Sequence, residues 1–236
     1  MMETLYMQDP YIQEFEATVE SVKDDKYIVL DKTAFYPNAG GQPFDTGVLI
    51  KDYEAYPVIF VGKFGDVISH EIGKLGLKVG DKIKGKINWQ RRYLFMRYHT
   101  AAHILSTVIH NETGGAITGN QIAEDKTRID FDLEQFDREK LKGYEEKANH
   151  IIALNLPVTL RFLPRDEAMK IPSVVKLAKG LPESIKVIRI VDIQGFDQQA
   201  CGGCHIKNTS EIKGIEIVKA ENKGKNNRRV YYILKD

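Results

Sequence analysis

The sequence predicts an α+β fold, in which a small N-terminal β-barrel is followed by an α+β domain with an antiparallel sheet and one long helix. Up to about residue 88, short Val- and Ile-rich segments alternate with turns rich in glycine, proline and Asp, which is typical of strands. From Trp89 to Ile109 the apolar residues instead follow the i, i+3, i+4, i+7 spacing of an amphipathic helix. Beyond this helix, strands and helices occur in separate runs, as in α+β proteins.

Residues 1–88 are predicted to form the barrel domain, for which a β-sandwich is the alternative. Segment 14–30 gives two strands around a Lys-Asp-Asp turn, and segment 56–72 gives another pair around a Gly-Asp turn. The stretch 33–47 between them contains three glycines and two prolines, which exclude regular structure through its centre. Further strands are expected at residues 47–50 and just before Trp89.

Residues 89–236 are predicted to form the second domain. Its long helix starts at Trp89 and ends at a Gly-Gly pair, and a second helix is expected from an N-cap at Asp137 to Asn155. The other expected elements are a hairpin, a strand, a short helix, a strand, a long loop and a closing hairpin, in that order, at residues 115–133, 157–163, 164–171, 184–193, 194–210 and 212–236.

The composition is that of an ordinary globular protein, with 42% hydrophobic and 28% charged residues over 236 positions. A formal net charge of +1 provides no overall basic field, so any contact with nucleic acid needs a local cluster of basic residues. The first residues show no signal-peptide pattern, and no segment has the ~20 apolar residues that span a bilayer. We therefore expect a cytoplasmic protein with no membrane partner.

Both cysteines of the chain lie in one hexapeptide, ACGGCH, at residues 200–205. Three functions fit this string taken alone: covalent haem attachment through C-x-x-C-H, a redox dithiol, or half of a zinc site formed by Cys201 and His205. The expected cytoplasmic location disfavours haem attachment, and it makes a metal or redox role more common than a structural disulfide.

The predicted long helix supplies a matching pair of ligands, His99 and His103. Residues four apart lie one turn apart on the same helix face, where two imidazoles can meet one ion. Together with Cys201 and His205 they form a Cys-His₃ set that suits Zn²⁺, with one ion per chain. His110 lies about 10 Å further along the helix axis, too far to share that ion, and is expected to be structural.

Cys204 provides a rival coordination, because two cysteines at this spacing can bind one zinc ion in a Cys₂His₂ set.

Two further segments have both a structural and a functional interpretation. The loop NAGGQPFDTG, which contains Gly40, Gly41 and Gln42, is either a tight barrel turn or a place where backbone approaches a ligand closely. Between residues 219 and 229 the last hairpin carries five basic residues against one acid, so it is either a solvated edge or an arm that contacts phosphates. These basic residues are Lys219, Lys223, Lys225, Arg228 and Arg229.

Five segments occur in the order found in alanyl-tRNA editing domains: FYPNAGGQPFDTG, HTAAH, TGNQIAEDKTRIDF, CGGCH and IKGIEIVKAENKGKNNRR. Over its whole length the chain resembles the free-standing AlaX proteins of the medium type, which join a barrel to an editing domain and have no aminoacylation domain. Threonyl-tRNA editing domains share the fold and both spaced pairs but typically lack the double glycine, which favours the alanyl branch. Cys204 departs from the pattern, since the family usually has Thr there.

The resemblance implies a trans-editing hydrolase that cleaves the aminoacyl ester at the terminal adenosine of mischarged tRNA-Ala. Serine is the expected amino acid, and glycine is left open as a second one. No obligate protein partner is evident, so a monomer is expected. If all four ligands bind the zinc ion at once, its tetrahedron is closed, so the ion expands its shell, loses a ligand, or only orients the terminal adenosine or the amino acid.

Selectivity for serine over alanine needs a polar group that binds the serine hydroxyl and is left unpaired by alanine. Thr118 is the first candidate by its place in the motif, followed by Asn120 and Gln121. An enzyme that removes glycine but not alanine needs a steric block near the α-carbon of the amino acid. The loop of Gly40, Gly41 and Gln42 is the candidate for this block.

Three other functions remain open on the sequence alone. The chain would otherwise be a redox or haem protein, a non-catalytic tRNA-binding module, or a zinc-dependent esterase that is indifferent to tRNA.

Overall fold

A computed structural model describes residues 2–134, 139–174, 181 and 183–235 of the chain. The protein divides into two compact units, Met1–Phe95 and Met96–Asp236. The domain boundary between residues 88 and 89 stays a prediction. The model combines a closed barrel with further antiparallel sheets and a few helices, so the predicted α+β class is confirmed. Among the helices in the described ranges, none is long and apolar enough to cross a membrane.

The first unit contains the barrel that the alternating sequence pattern predicts. Six antiparallel strands close in the order β2-β3-β7-β6-β5-β8, and β1 pairs separately with β4. Buried aliphatic side chains from alternate strand positions, such as Ile28, Leu49 and Ile68, fill its interior. The elements are β1 (Glu3–Thr4), α1 (Leu5–Gln8), β2 (Glu14–Lys23), β3 (Tyr27–Leu30), β4 (Lys32–Thr33), β5 (Gly47–Lys51), β6 (Glu54–Phe64), β7 (Val67–Ile72) and β8 (Lys82–Ile87).

A buried ion pair organises the irregular segments of this unit. Arg92, near the start of the long helix α2 (Trp89–Thr113), and Asp45 are both fully buried. Arg92 Nε lies 3.0 Å from both oxygens of Asp45, and its Nη1 and Nη2 donate to the carbonyls of Pro10 at 2.8 Å and Ala34 at 2.5 Å. Asp45 also accepts from the backbone of Tyr36 at 2.6 Å. The guanidinium thereby holds together two irregular segments, the one between α1 and β2 that contains Pro10 and the one between β4 and β5 that contains Ala34 and Asp45.

The second unit consists of two antiparallel sheets and the helices that pack with them. One sheet has the strand order β14-β15-β10-β9, and the other has the order β11-β12-β13. Besides the larger part of α2, the elements are β9 (Ala116–Ile122), β10 (Thr127–Asp132), α3 (Leu141–Ala153), β11 (Val158–Pro164), α4 (Arg165–Ala168), β12 (Val187–Ile193), β13 (Asp197–Ala200), a 3₁₀ helix (Thr209–Ile212), β14 (Ile215–Gly224) and β15 (Asn227–Leu234).

The predicted long loop 194–210 is wrong in its first part, because Asp197–Ala200 forms strand β13. This strand pairs with β12, with Ile193 opposite Asp197 and Ile190 opposite Ala200. Its sequence DQQA lacks the β-branched and aromatic residues that mark strands, so the backbone pairing overrides a weak local preference. The predicted N-cap Asp137 lies outside the described residues.

A neutral histidine is buried in the first unit. His70 is fully buried, with its Nε2 2.8 Å from the hydroxyl of Thr33 and its Nδ1 3.0 Å from the carbonyl of Ile28. Burial lowers the pKa of His70 from 6.5 to about 4, although the hydrogen bond to Ile28 opposes the change. Between these two values the unfolded chain binds a proton that the folded chain rejects, so stability falls as the pH decreases from 6.5 towards 4.

Replacement of His70 by Gln should therefore remove part of the acid sensitivity of this unit. We expect the wild type to lose about 2 kcal/mol more unfolding free energy than His70→Gln when the pH falls from about 7 to about 5. Urea unfolding monitored by the fluorescence of Trp89, the single tryptophan of the chain and part of the same unit, measures this loss. His150→Gln, at an exposed position of α3, is the control and should behave as the wild type. Equal acid sensitivity in wild type and His70→Gln would contradict the argument.

Candidate metal centre

Four side chains of the second unit converge in one cluster. His99 and His103 lie one turn apart on α2, Cys201 directly follows β13, and His205 lies four residues further on. One ligand atom from each side chain lies within 4.8 Å of every other. The structure thus brings together the two spaced pairs that the sequence singled out, although about a hundred residues separate them.

The thiol of Cys201 lies between the imidazoles. Its Sγ is 3.5 Å from Nε2 of His99 and 3.4 Å from Nε2 of His205, and the backbone N–H of Gly203 donates to it at 3.4 Å. The rings of His99 and His205 are 4.4 Å apart, and those of His103 and His205 are 4.6 Å apart. The three histidines are at most 7% exposed, and Cys201 is partly buried.

The electrostatics of the cluster are those of a thiolate among imidazoles. Burial alone would raise the pKa of Cys201, but the histidines around it lower that pKa well below its ordinary value. Burial would lower the pKa of His103, but Asp197 and Cys201 outweigh burial and raise it to about 9. Burial, with His99 nearby, lowers the pKa of His205. A negative sulfur beside a protonated imidazole marks a place where a divalent cation would replace the proton.

The donor set fits a metal ion by its chemistry. Three imidazole nitrogens and one thiolate are ligands that structural and catalytic transition-metal sites share. Cys204 is fully buried and is not among the four clustered side chains, so the cluster has the Cys-His₃ rather than the Cys₂His₂ composition. His110 also lies apart from it, with Nδ1 2.9 Å from the carbonyl of Gly115 at the end of α2.

Two residues that the sequence reasoning missed support the ligands. The hydroxyl of Thr100 lies 3.1 Å from Nδ1 of His205, which leaves Nε2 of His205 for the centre of the cluster. Arg189 on β12 donates from Nη1 to the carbonyls of Cys201 at 2.7 Å and Gly203 at 2.9 Å, and so fixes the loop. A charged residue inside the apolar run VIRIVDI was the available signal for Arg189.

A cavity of about 510 Å³ lies beside the same stripe of α2. Its wall includes Ser106, Thr107 and His110, which follow His103 by three, four and seven residues and therefore share its helix face. The first residue of β13, Asp197, also lines this cavity. The volume is in the range of small-molecule sites.

The three predicted selectivity residues lie on β9, the edge strand of its sheet, and their side chains are exposed. Gly119 pairs with Asp130 and Ile117 pairs with the next residue of β10, so Thr118 between them is the extra residue of a β-bulge. Gln121 accepts a hydrogen bond from Arg128 at 3.0 Å, and Asn120 lies on the same edge strand. None of the three belongs to the histidine and cysteine cluster.

The predicted glycine loop belongs to the first unit and forms a tight turn. Ala39 and Gln42 pair through both backbone hydrogen bonds, Gln42 N–H to Ala39 at 2.9 Å and the reverse at 3.3 Å. Gly40 and Gly41 between them have φ values of 57° and 82°, a left-handed region that glycine adopts at no steric cost. Gln42 is fully buried.

The five basic residues of the closing hairpin have different surroundings. Arg228 is 7% exposed and donates to backbone carbonyls of the turn, at Gly224, Lys225 and Asn227. Arg229 binds both oxygens of Asp130.

The three lysines of this hairpin are exposed. Lys219 and Lys223 each pair with Glu221, and Lys225 lies at the turn.

Two family models match the chain. The model described as "Threonyl and Alanyl tRNA synthetase second additional domain" matches residues 188–231, which include Cys201 and His205. The model described as "tRNA synthetases class II (A)" matches residues 3–91, which include the barrel.

Among curated relatives, a protein of Methanosarcina acetivorans named alanyl-tRNA editing protein AlaX-M is 53% identical, with all of both chains aligned. A protein of the same name from Saccharolobus solfataricus is 44% identical, again over all of both chains. The alanine–tRNA ligase of Pyrococcus furiosus is 39% identical over 92% of this chain but only 24% of the ligase. These matches confirm the resemblance inferred from the motifs, and the chain belongs to the AlaX-M family of alanyl-tRNA editing proteins.

Proposed function

We propose that the protein is a trans-editing hydrolase that deacylates mischarged tRNA-Ala, with serine as the main amino acid and glycine as a second one to be tested. The observation that carries the proposal is the buried Cys-His₃ cluster, in a chain that aligns end to end with proteins named alanyl-tRNA editing proteins. The shared name supports the tRNA substrate, and the cluster supports hydrolysis assisted by a metal ion.

Zinc is the ion that we propose for this cluster. His99, His103 and His205 would bind it through imidazole nitrogens and Cys201 through its thiolate, a mixture of ligands that suits a cation of intermediate softness. When bound, zinc supplies Lewis acidity, which polarises an ester carbonyl and lowers the pKa of water. Thr100 and Arg189 hold His205 and the Cys201 loop in place for this role.

The reaction is the hydrolysis of one ester bond. Water adds to the carbonyl carbon of the amino acid, and the bond from that carbon to the ribose oxygen breaks. The ribose oxygen keeps the electron pair and receives a proton, which leaves a free amino acid and an uncharged tRNA. No redox partner or nucleotide is needed. The terminal adenosine of the tRNA with its amino acid would bind in the cavity lined by Ser106, Thr107 and Asp197, whose wall includes none of the four clustered side chains.

We propose that Thr118 reads the serine hydroxyl. It is exposed at a bulge, which turns a side chain out of the regular alternation of a strand. The preceding residues Gly115, Ala116 and Ile117 form part of the cavity wall, so the bulge directly continues that wall. Asn120 and Gln121 are the further candidates on the same strand. We also propose that the turn at Gly40, Gly41 and Gln42 excludes alanine if the protein accepts glycine.

We propose that the closing hairpin contacts the phosphates of the tRNA. The three lysines are exposed, and Lys219 and Lys223 would exchange their pairing with Glu221 for phosphate contacts, which depend on local charge density and weaken with added salt. Arg228 and Arg229 would contribute mainly by holding the hairpin, since their guanidinium groups already bind turn carbonyls and Asp130. The protein would act in the cytoplasm, as a monomer.

The redox alternative has less support. Both cysteines are free thiols, and only Cys201 takes part in the cluster. A dithiol function would use the two cysteines together and would leave the convergence of His99, His103 and His205 unexplained.

The metal content of the purified protein tests the proposed ligands. We expect about one zinc ion per chain in the wild type and clearly less in His99→Ala after the same dialysis, because the variant lacks one of the four proposed ligands. His110→Ala removes an imidazole from the same helix outside the cluster and should retain the ion. Elemental analysis after dialysis measures the content. A His99→Ala protein that keeps the full content would refute His99 as a ligand.

The deacylation of Ser-, Gly- and Ala-tRNA-Ala tests the proposed reaction. We expect the wild type to hydrolyse Ser-tRNA-Ala and spare Ala-tRNA-Ala, and Cys201→Ala to be slower on serine by at least about a hundredfold, since metal assistance contributes several kcal/mol. Cys204→Thr is the matched control and should keep both zinc and activity, because Cys204 lies outside the cluster. Full activity in a metal-free Cys201→Ala protein would rule out zinc dependence.

Substitution at the bulge tests the origin of selectivity. Thr118→Val keeps the shape of the side chain but removes the hydroxyl, so the rate on Ser-tRNA-Ala should fall roughly tenfold or more while the rate on Gly-tRNA-Ala stays unchanged. Thr118→Ser keeps the hydroxyl and should retain the activity on serine. Single-turnover rates on both substrates give the comparison, and an unchanged rate of Thr118→Val on serine would remove Thr118 from the site.

A further inference from the structure

One carboxylate faces the metal centre without belonging to it. Asp197 begins β13, is 9% exposed and places Oδ2 3.7 Å from Nδ1 of His103. Both atoms are buried, and neither has a hydrogen-bond partner among the described residues. The alternation of β13 puts Asp197 and Gln199 on the buried side, and Cys201 follows with the same spacing. The strand therefore delivers a carboxylate and a thiol to the same group of imidazoles.

The two nitrogens of the His103 ring have different surroundings. Its Nδ1 points towards Asp197, so Nε2 is the nitrogen available to the cluster. An imidazole binds a metal through an unprotonated nitrogen, and the proton on its other nitrogen is commonly held by a carboxylate or carbonyl that fixes the ring and strengthens the ligand. Nδ1 of His205 already has a hydrogen-bond partner, the hydroxyl of Thr100.

The charges in the cluster also favour a carboxylate at this place. A divalent ion with one thiolate and three neutral imidazoles leaves a net positive charge in a buried site. Arg189, which binds the carbonyl of Cys201, adds another positive charge nearby. Excess charge of one sign is costly in a poorly solvated interior, and an adjacent carboxylate reduces that excess.

We propose that Asp197 is a positioning residue, which holds the proton on Nδ1 of His103 and thereby strengthens the binding of the metal ion through Nε2. The inference rests on the proposed metal site and not on the identity of the tRNA. Asp197 also lines the cavity beside α2, so a direct contact with the substrate is the competing role.

The test is the zinc affinity of Asp197→Asn, measured on the full chain by competition with a chelator and with zinc alone as the probe. Loss of a carboxylate that supports a ligating histidine weakens metal binding by about 10- to 100-fold, and we expect this range. Asp197→Glu, which keeps the charge, should restore part of the affinity.

Asp192→Asn is the matched control. Asp192, on β12, lies opposite Gln198 of β13 and also borders the cavity. Its carboxylate binds Arg161 and Gln198 instead of a cluster residue. Asp192→Asn removes the same negative charge as Asp197→Asn and should keep the wild-type affinity for zinc. Wild-type affinity in a folded Asp197→Asn protein, or an equal loss in Asp192→Asn, would overturn the proposal. A change in kcat or KM at unchanged zinc affinity would assign Asp197 to the substrate instead.

A measurement on the wild type is independent of how the variants fold. In the zinc-loaded protein, nitrogen NMR of the imidazoles should show His103 bound through Nε2, with its proton on Nδ1. Binding through Nδ1 would overturn the proposal. A wild type that binds no zinc at all would instead refute the metal site, and a wild type that binds zinc but does not deacylate tRNA would refute only the proposed reaction.

Discussion

The second unit depends on a cluster of polar side chains that satisfy one another only in part, since Sγ of Cys201 contacts two imidazoles while Nδ1 of His103 has no hydrogen-bond partner among the described residues. Three imidazoles and a thiol lie within 4.8 Å in a largely buried place, where unpaired polar groups are costly and no backbone ladder compensates them. The surrounding structure has to hold this arrangement against that cost. A long helix fixes His99 and His103, the pairing of β12 with β13 fixes the approach of Cys201, and Arg189 ties down the loop that follows.

The two units use buried polar groups in opposite ways. In the first unit, Arg92 and Asp45 are surrounded by carbonyls and backbone N–H groups, so the pair serves the fold. In the second unit, Nδ1 of His103 and Oδ2 of Asp197 are buried without a hydrogen-bond partner among the described residues and lie 3.7 Å from each other. The distinction rests on completeness of bonding and not on residue type, because histidine occurs in both roles: His70 is hydrogen-bonded through both of its nitrogens.

Sequence periodicity predicted the parts of the structure that depend on local geometry. The pairing of His99 with His103 follows from the helical period, and the Cys201 and His205 spacing limits those two residues to one loop. The strands of the barrel are predicted by the alternation of apolar and polar residues and by the turn residues between these segments. Each of these features is determined by neighbours within a few residues, which a single sequence displays directly.

Features that depend on partners far along the chain were not predictable in this way. Strand β13 exists because β12 offers backbone groups to it, and the sequence DQQA alone gives no indication of a strand. The contact of Thr100 with His205 and the proximity of Asp197 to His103 could not be predicted, because these residues meet only in the folded chain. The spacing of the ligands does not indicate the substrate either. The proposed substrate tRNA-Ala is inferred from the family resemblance and from the names of the relatives.

The bulge at Thr118 has a consequence for solubility. A regular edge strand exposes a row of unpaired backbone groups on which another chain can grow a sheet, and a bulge interrupts that row. The edge strand β9 thus carries at one position a side chain proposed to read a substrate and a distortion that opposes aggregation. Deletion of Thr118 would therefore remove the bulge together with the side chain, whereas a substitution changes the side chain alone.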